Sequence, residues 1–309
     1  MSSKNDPQQL YDTIIIGAGP GGMTAGIYAS RREMSSLILG NDIGGQMMWA
    51  SDIENYPGFK SINNYDLITR MQDQVTSLGV DIKNGEVKKV EKNEDGSFTL
   101  HTQRDVFHSK TLIAALGLAP RRLAIPGEEE YLGKGISYCA NCDGPFYKNK
   151  DIVVIGGGNS ALDAAEYLSK VAHKVYLVHR REEFKAFESL VEEVKGKDNV
   201  EMLVNSEVKE IKGEDTVKSI KLQNNQDNTE TEKEVQGVFI EIGRIARTDL
   251  VGHLVERDDK DQIIVNNRCE TSTPGLYAIG DVTTVEFKQI TVACGHGTIA
   301  ALAAYQHLN

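Results

Sequence analysis

The stretch Asp12-Thr13-Ile14-Ile15-Ile16-Gly17-Ala18-Gly19-Pro20-Gly21-Gly22 decides the fold of this chain. Its apolar, β-branched run reads as a strand buried on both faces, as in a parallel sheet. Glycines follow at the spacing Gly17-x-Gly19-x-x-Gly22, and residues 23–29 continue with small and apolar side chains at helical spacing. Strand, glycine turn and helix form the context in which this spacing binds a dinucleotide. The first glycine makes the tight turn, the second lets backbone approach a pyrophosphate, and the third lets helix pack on strand. The pyrophosphate then meets the unpaired N–H groups of the helix N-terminus. A second strand, Ser36–Leu39, completes the half unit. Where an acid is expected for the ribose hydroxyls stand Leu39-Gly40-Asn41, with Asp42 just beyond.

The pattern then recurs. Asp151-Ile152-Val153-Val154-Ile155 leads into Gly156-Gly157-Gly158-Asn159-Ser160-Ala161, with alanine at the third position, which the motif permits. In the first copy a helix over 65–78, alternating strands over 81–100 and a closing strand over 111–115 follow. In the second, a helix over 160–170 and a strand over 174–178 precede alternating strands over 200–225 and a closing strand over 238–242. The shared order indicates an internal duplication. After Arg247, strands over 262–265 and 275–279, the pair Gly280-Asp281 and a small-residue helix over 291–305 return the chain to its first half. The expected fold class is α/β, with two Rossmann-like three-layer (ββα-sandwich) nucleotide-binding domains, the second inserted in the first. The expected boundaries are 1–118 with 247–309, and 119–246.

Composition narrows the function. A chain of 309 residues, 40% hydrophobic and 26% charged, suits a soluble two-domain protein, and a net charge of −11 argues against nucleic acid as a partner. No apolar run is long enough to span a bilayer, and the opening residues contain no secretory h-region, so a cytosolic location is the default expectation. In that reducing setting the four cysteines are not a structural framework. Cys139-Ala140-Asn141-Cys142-Asp143 holds a pair able to close and reopen a disulfide by thiol exchange. Zinc is the rival reading, but Cys269, Cys294 and His296 are spaced unlike any common zinc site. Asp143 could carry protons as thiolates form, or simply shape the turn before Gly144-Pro145. Cys269 and Cys294 read as small core residues.

After the second copy's strand, where an acid would mark an NAD site, stand His179-Arg180-Arg181, and then Lys185. Such a cluster can neutralise a ribose 2′-phosphate, which favours NADPH over NADH. The alternative is a solvated basic turn facing Glu182 and Glu183.

Gly17-x-Gly19-Pro20-x-Gly22, Gly44-Gly45-Gln46, Glu54-Asn55-Tyr56-Pro57-Gly58, Cys139-x-x-Cys142-Asp143-Gly144, Gly156 to Ala161, His179-Arg180-Arg181 and Gly280-Asp281 together resemble one family. It is that of the low-molecular-weight thioredoxin reductases, and the resemblance covers essentially the whole chain. It implies a homodimeric flavoprotein whose outer domain binds FAD and whose inserted domain binds NADPH and carries the dithiol. Gly44, Gly45, Gln46 and Asn55 are then expected along the flavin. Asp281 would hold a ribityl hydroxyl, and Lys288, Gln289 and Ile290 would close the site. Cys142 would face the flavin, Cys139 would attack the disulfide of thioredoxin, and Asp143 would match the family's acid. Arg180 and Arg181 match the family's 2′-phosphate binders, while Lys185 stands where an arginine is common. Leu116 replaces a threonine near the flavin. The stretch 262–308 is also similar to the flavoprotein subunit of alkyl hydroperoxide reductase. Since one geometry cannot serve both hydride delivery and dithiol exposure, a rotation through 117–121 and 243–247 is expected.

The function expected from this resemblance is NADPH-dependent reduction of thioredoxin. The alternatives are a related reductase serving a glutaredoxin-like or peroxidase partner, and a non-catalytic redox sensor holding FAD and NADP(H).

Overall fold

The computed structural model describes residues 9–49 and 52–309; within it the side chains of Trp49, Asp52 and Cys142 are not described. The chain divides into two compact units, residues 1–119 with 245–309, and residues 120–244. The chain passes between them through Leu118–Pro120 and Arg244–Ala246, which pair as a two-stranded ribbon.

In the first unit, Leu10–Ile16 lies between Ser36–Leu39 and Val106–Ala114, parallel to both. Asp81–Lys83 and Leu276–Ala278 extend the parallel sheet at either side. Buried residues alternate between two cores, as the pleat of a doubly covered sheet requires. Ile15, Ile38 and Ile113 face the helices Pro20–Ser30, Asn64–Ser77 and Ile290–Leu308. Ile14, Ile16, Leu37, Leu39 and Leu112 pack on the other side with Val90, Phe98 and Leu100 of the antiparallel strands Val87–Lys92 and Phe98–Thr102. Two small-residue helices can approach closely, and here they do. A Cβ on Gly297 would collide with the Gly21 carbonyl oxygen, and one on Gly21 would sit 3.0 Å from that of Ala293.

The second unit has the same three layers. Its parallel sheet runs Ile136–Ser137, Gly237–Ile240, Asp151–Ile155, Lys174–Val178, Val200–Leu203. Ile152, Val154, Leu177 and Phe239 pack on the helix side against Leu162, Ala165, Leu168 and Val194. Val153, Ile155, Val238 and Ile240 pack on the opposite side against Val208, Ile211, Ile220 and Leu222 of the three-stranded sheet over residues 206–234.

Four local expectations change. The closing strand of the first unit begins at Val106, not 111, and its nine residues pair first with Phe98–Thr102 and then with Leu276–Ala278. Its length joins the antiparallel strands to the parallel sheet, whereas the four-residue Gly237–Ile240 leaves them separate in the second unit. Val200–Leu203 belongs to the parallel sheet as its edge rather than to the antiparallel strands. Residues 262–265 form no strand: Ile263 makes single bridges to Arg257 and Thr283, and the Asp258 carboxylate takes the Gln262 amide as a turn. The helix Glu188–Lys195 was not anticipated, because its eight residues bury only Val194 fully. Among the described residues, no helix is long and apolar enough to cross a membrane.

Candidate active site

Both glycine turns show the same division of labour. Gly17 has φ +113 and Gly156 φ +155, and a Cβ on either would strike a backbone carbonyl, of Ala115 and Glu241 respectively. A Cβ on Gly22 would strike the Gly17 carbonyl, and one on Gly156 would sit 2.6 Å from Ala161 Cβ. The first and third positions are therefore set by the protein's own packing. The middle glycines differ. The nearest atom to a Cβ on Gly19 is Gly45 Cα at 4.0 Å, and Gly158 has nothing within 4 Å. Among the described residues nothing stands where a side chain there would reach, which leaves that backbone open to a group such as a pyrophosphate. Gly19 and Gly158 also cap the helices Pro20–Ser30 and Asn159–Ser169 without any side-chain cap, leaving the helix amides for an anion. The residues fit two dinucleotides.

Beside the first turn, segments remote in sequence converge. Gly45 approaches Gly19, and Gln46 Nε2 donates to Asp281 Oδ2 at 2.8 Å across 235 residues of chain. Asn55 Nδ2 donates to Gln289 Oε1 at 3.2 Å, and Gln289 caps the helix that Ile290 begins. The Gly44 amide donates to the Ala18 carbonyl, 2.8 Å away, which fastens this segment to the turn. Lys288 Nζ donates to the Thr283 carbonyl at 2.6 Å; burial holds its pKa below the usual lysine value, opposed by Asp281. Gly280 (φ +69) donates its amide to Nδ1 of His296, so Nε2 carries the ring proton. Burial and then Lys288 depress the His296 pKa, leaving it a neutral prop of the Gly280-Asp281 turn. From its sequence spacing this histidine reads only as a candidate zinc ligand. Among the described residues no three metal-ligating side chains gather. Asp42, the acid nearest the expected ribose position, is exposed, 3.9 Å from Arg247.

Beside the second turn, the segment after Lys174–Val178 is laced back onto it. Lys185 N–H donates to the Gly157 carbonyl at 2.7 Å, and Phe187 N–H to Asn159 Oδ1 at 2.9 Å. The His179 ring lies under Gly157, stacks on Phe184 at 5.1 Å and donates Nε2–H to the Glu183 carbonyl. Burial, helped by Arg180 and Arg181, lowers its pKa. His179 and Asn159 are thus engaged in holding the loop. Arg180, Arg181 and Lys185 are exposed, and none forms an ion pair among the described residues. Glu182 and Glu183 do not neutralise them. Ser160 is exposed at the second position of the helix.

Cys139 is half of a disulfide, Cys269 and Cys294 are free, and the Cys142 side chain lies outside the described residues. The turn carrying Cys139 is firmly built. Ala140 is buried in the helix-side core, and a Cβ on Gly144 would sit 2.8 Å from the Tyr167 ring. The Cys139 amide donates to Ser137 Oγ at 2.9 Å, and the Asp143 amide to the Cys139 carbonyl at 3.2 Å. Asp143 is half-buried and helps raise the Tyr147 pKa, after burial itself. Burial alone pushes the Cys269 thiol up to about 12, which keeps it inert.

Glu128 escaped the sequence reading altogether. It is 4% exposed and accepts three hydrogen bonds: from the amides of Leu123 and Ala124 at 2.9 and 2.6 Å, and from Tyr138 OH at 2.6 Å. Burial and this carboxylate raise the Tyr138 pKa. Only its place in a run of three glutamates is visible locally; its partners come from the fold. Glu128→Ala is expected to cost about 1.5–3 kcal/mol in urea unfolding, because the half-buried Leu123 amide and Tyr138 hydroxyl lose a charged acceptor while the exposed Ala124 amide can turn to water.

Strand-turn-helix duplicated around two pyrophosphate-ready glycine turns, with a disulfide on one unit, defines a two-nucleotide disulfide-exchanging α/β enzyme class. The chain belongs to the pyridine nucleotide-disulphide oxidoreductase family, whose pattern matches residues 11–297. It is 37% identical to the thioredoxin reductase of Listeria monocytogenes over 97% of this chain and 95% of that one. The solved thioredoxin reductase of Lactococcus lactis is 39% identical, with a TM-score of 0.84 over 96% of this chain and 99% of that one. A ferredoxin-flavin thioredoxin reductase from Clostridium acetobutylicum is 31% identical, with a TM-score of 0.53 over 96% and 98%. Only the last of these names includes ferredoxin, a protein redox carrier, so the electron donor is argued from the residues of this chain.

Proposed function

We propose that this chain is an NADPH-dependent FAD enzyme that reduces the disulfide of thioredoxin. The observation that carries it is the disulfide at Cys139, built onto the same unit as the second glycine turn and its exposed cations. The full-length likeness to thioredoxin reductases supports the same reading. In this reading residues 1–118 with 247–309 hold FAD through Gly17, Gly19, Pro20, Gly22, Gly44, Gly45, Gln46, Asn55, Asp281 and the start of the last helix. Residues 119–246 hold NADPH, with the pyrophosphate on Gly156, Gly158 and the amides of Asn159 to Ala161. Arg180 and Arg181 receive the 2′-phosphate, with Lys185 adding charge. Bound FAD supplies the chemistry of accepting a hydride from reduced nicotinamide and passing two electrons to a disulfide. Of the chain's own groups, Cys139 attacks the partner disulfide, Cys142 resolves the mixed disulfide, and Asp143 carries the proton between them. A homodimer is part of the proposal.

The test is anaerobic addition of NADPH to the FAD-loaded protein, followed by oxidised thioredoxin. Bleaching of the flavin band and its return with thioredoxin are expected. Bleaching without a response to thioredoxin would assign the electrons to another partner, and no bleaching would refute the relay.

Gly158→Ala separates ligand from protein. Its Cβ enters open space, so stability should change by less than about 1 kcal/mol, while KM for NADPH rises about 10-fold or more. Gly156→Ala, which strikes the Glu241 carbonyl at positive φ, should instead lose stability.

A further inference from the structure

Glu241 has no role in the function just proposed, yet it touches both parts of the second unit's site. It follows the strand Gly237–Ile240, and its amide donates to the Ile155 carbonyl at 2.8 Å. Its own carbonyl lies against Gly156, the first glycine of the turn. Its half-buried carboxylate accepts the N–H of Ala140, the peptide that follows Cys139. The chain thus places a carboxyl group on the peptide N–H that follows Cys139, on a residue whose amide is tied to the sheet. Arg244, on its own segment, is the charge that bears on it; the dithiol turn contributes Cys139 and Asp143, and residues 156–161 contribute no titratable side chain.

A carboxylate so near Cys139 makes a thiolate there costlier, because like charges repel most strongly where water is scarce. The converse also holds: a thiolate forming at Cys139 draws a proton onto the carboxylate. We propose that Glu241 is the proton partner of the dithiol, taking up a proton when the Cys139 disulfide opens and releasing it when the disulfide re-forms.

The proposal rests on the dithiol reading above. Two electrons, supplied by the reduced flavin, break the sulfur–sulfur bond and leave two negative charges on sulfur. One sulfur takes a proton from water and the other stays a thiolate, while a second proton goes onto the Glu241 carboxylate. Thioredoxin disulfide, as the oxidant, later takes the electron pair; the two protons leave with it. Burial, outweighing Arg244 and the Ala140 N–H, already pushes the Glu241 pKa up to about 7, so either state is reached near neutral pH. Glu241 works through the Ala140 peptide and the local charge balance, as a positioning residue for the thiolate.

The test measures the dithiol midpoint potential of the FAD-loaded protein from pH 6 to 9. A small-molecule dithiol couple sets the potential and the thiols are counted by alkylation, so no nucleotide is needed. Wild type should take up about two protons per electron pair across neutral pH. Glu241→Gln should fall to about one above the thiol's own pKa. Its Cys139 should alkylate several-fold faster at pH 6.5, since one pKa unit is about tenfold in thiolate. Glu241→Asp, which keeps the carboxyl group, should recover the two-proton slope. A wild type taking up only about one proton at pH 7.5 overturns the proposal without any variant. So does a Gln variant that titrates like wild type, or an Asp variant that behaves like Gln. Failure of NADPH to bleach the flavin would instead refute the function proposed above and leave this titration readable.

Discussion

Cys139→Ser is expected to lower thioredoxin reduction by at least about 10³-fold while NADPH still bleaches the flavin at close to the wild-type rate. The thiolate is the nucleophile in disulfide exchange, and a serine hydroxyl has no comparable anion near neutral pH. Nothing about the glycine turns depends on the sulfur. The turn holding residue 139 is fastened by its backbone, through the Ser137 hydroxyl and the Asp143 amide, and by buried Ala140. Folding and cofactor retention should therefore survive, and single-turnover absorbance can separate the two half-reactions. Persistent turnover with thioredoxin would show that the role given to Cys139 is wrong. Loss of flavin bleaching in the same variant would show that nucleotide and dithiol are not separable functions.

The second large effect concerns the electron donor. Arg180→Ala/Arg181→Ala is expected to lower kcat/KM for NADPH about 10²–10³-fold and to leave NADH within about 3-fold. A charge-assisted hydrogen bond to phosphate is worth about 1.5–3 kcal/mol, and two adjacent ones do not add fully. NADH has no 2′-phosphate to lose. Both guanidinium groups are exposed and without an ion pair among the described residues, so their removal breaks no internal contact and should not alter stability. Raising ionic strength should weaken NADPH binding in wild type and much less in the variant. Equal losses for both nucleotides would return the cluster to a solvated basic turn. If neither nucleotide supports reduction in wild type, a protein donor becomes the reading to test, ferredoxin being the protein in the name of the Clostridium acetobutylicum relative.

How much of this was legible before the fold was known depends on how far each constraint reaches along the chain. Both glycine turns were readable because each is decided within about ten residues: a strand, a φ only glycine tolerates, a helix start. The duplication was readable because both copies repeat the same local order. The parallel strands showed as unbroken apolar runs because both faces are covered.

The sequence by itself therefore determined two dinucleotide turns, their order, the inserted arrangement it led us to expect, and the motif around Cys139. Only the tertiary structure decided what surrounds them. It set Gln46 against Asp281 across 235 residues, closed Glu128 on Tyr138, and left the Arg180 and Arg181 guanidinium groups without an ion pair among the described residues although two glutamates follow them. It also showed that Gly17 and Gly156 are glycine for the protein's own packing, while the backbone at Gly19 and Gly158 is left open among the described residues. Glu241 is the clearest case. Its carboxylate meets the Ala140 N–H from about a hundred residues away in the chain, and no local pattern marks it. Local backbone geometry is written in neighbouring residues; which carboxylate meets which amide depends on sheet order, and that is a property of the whole chain.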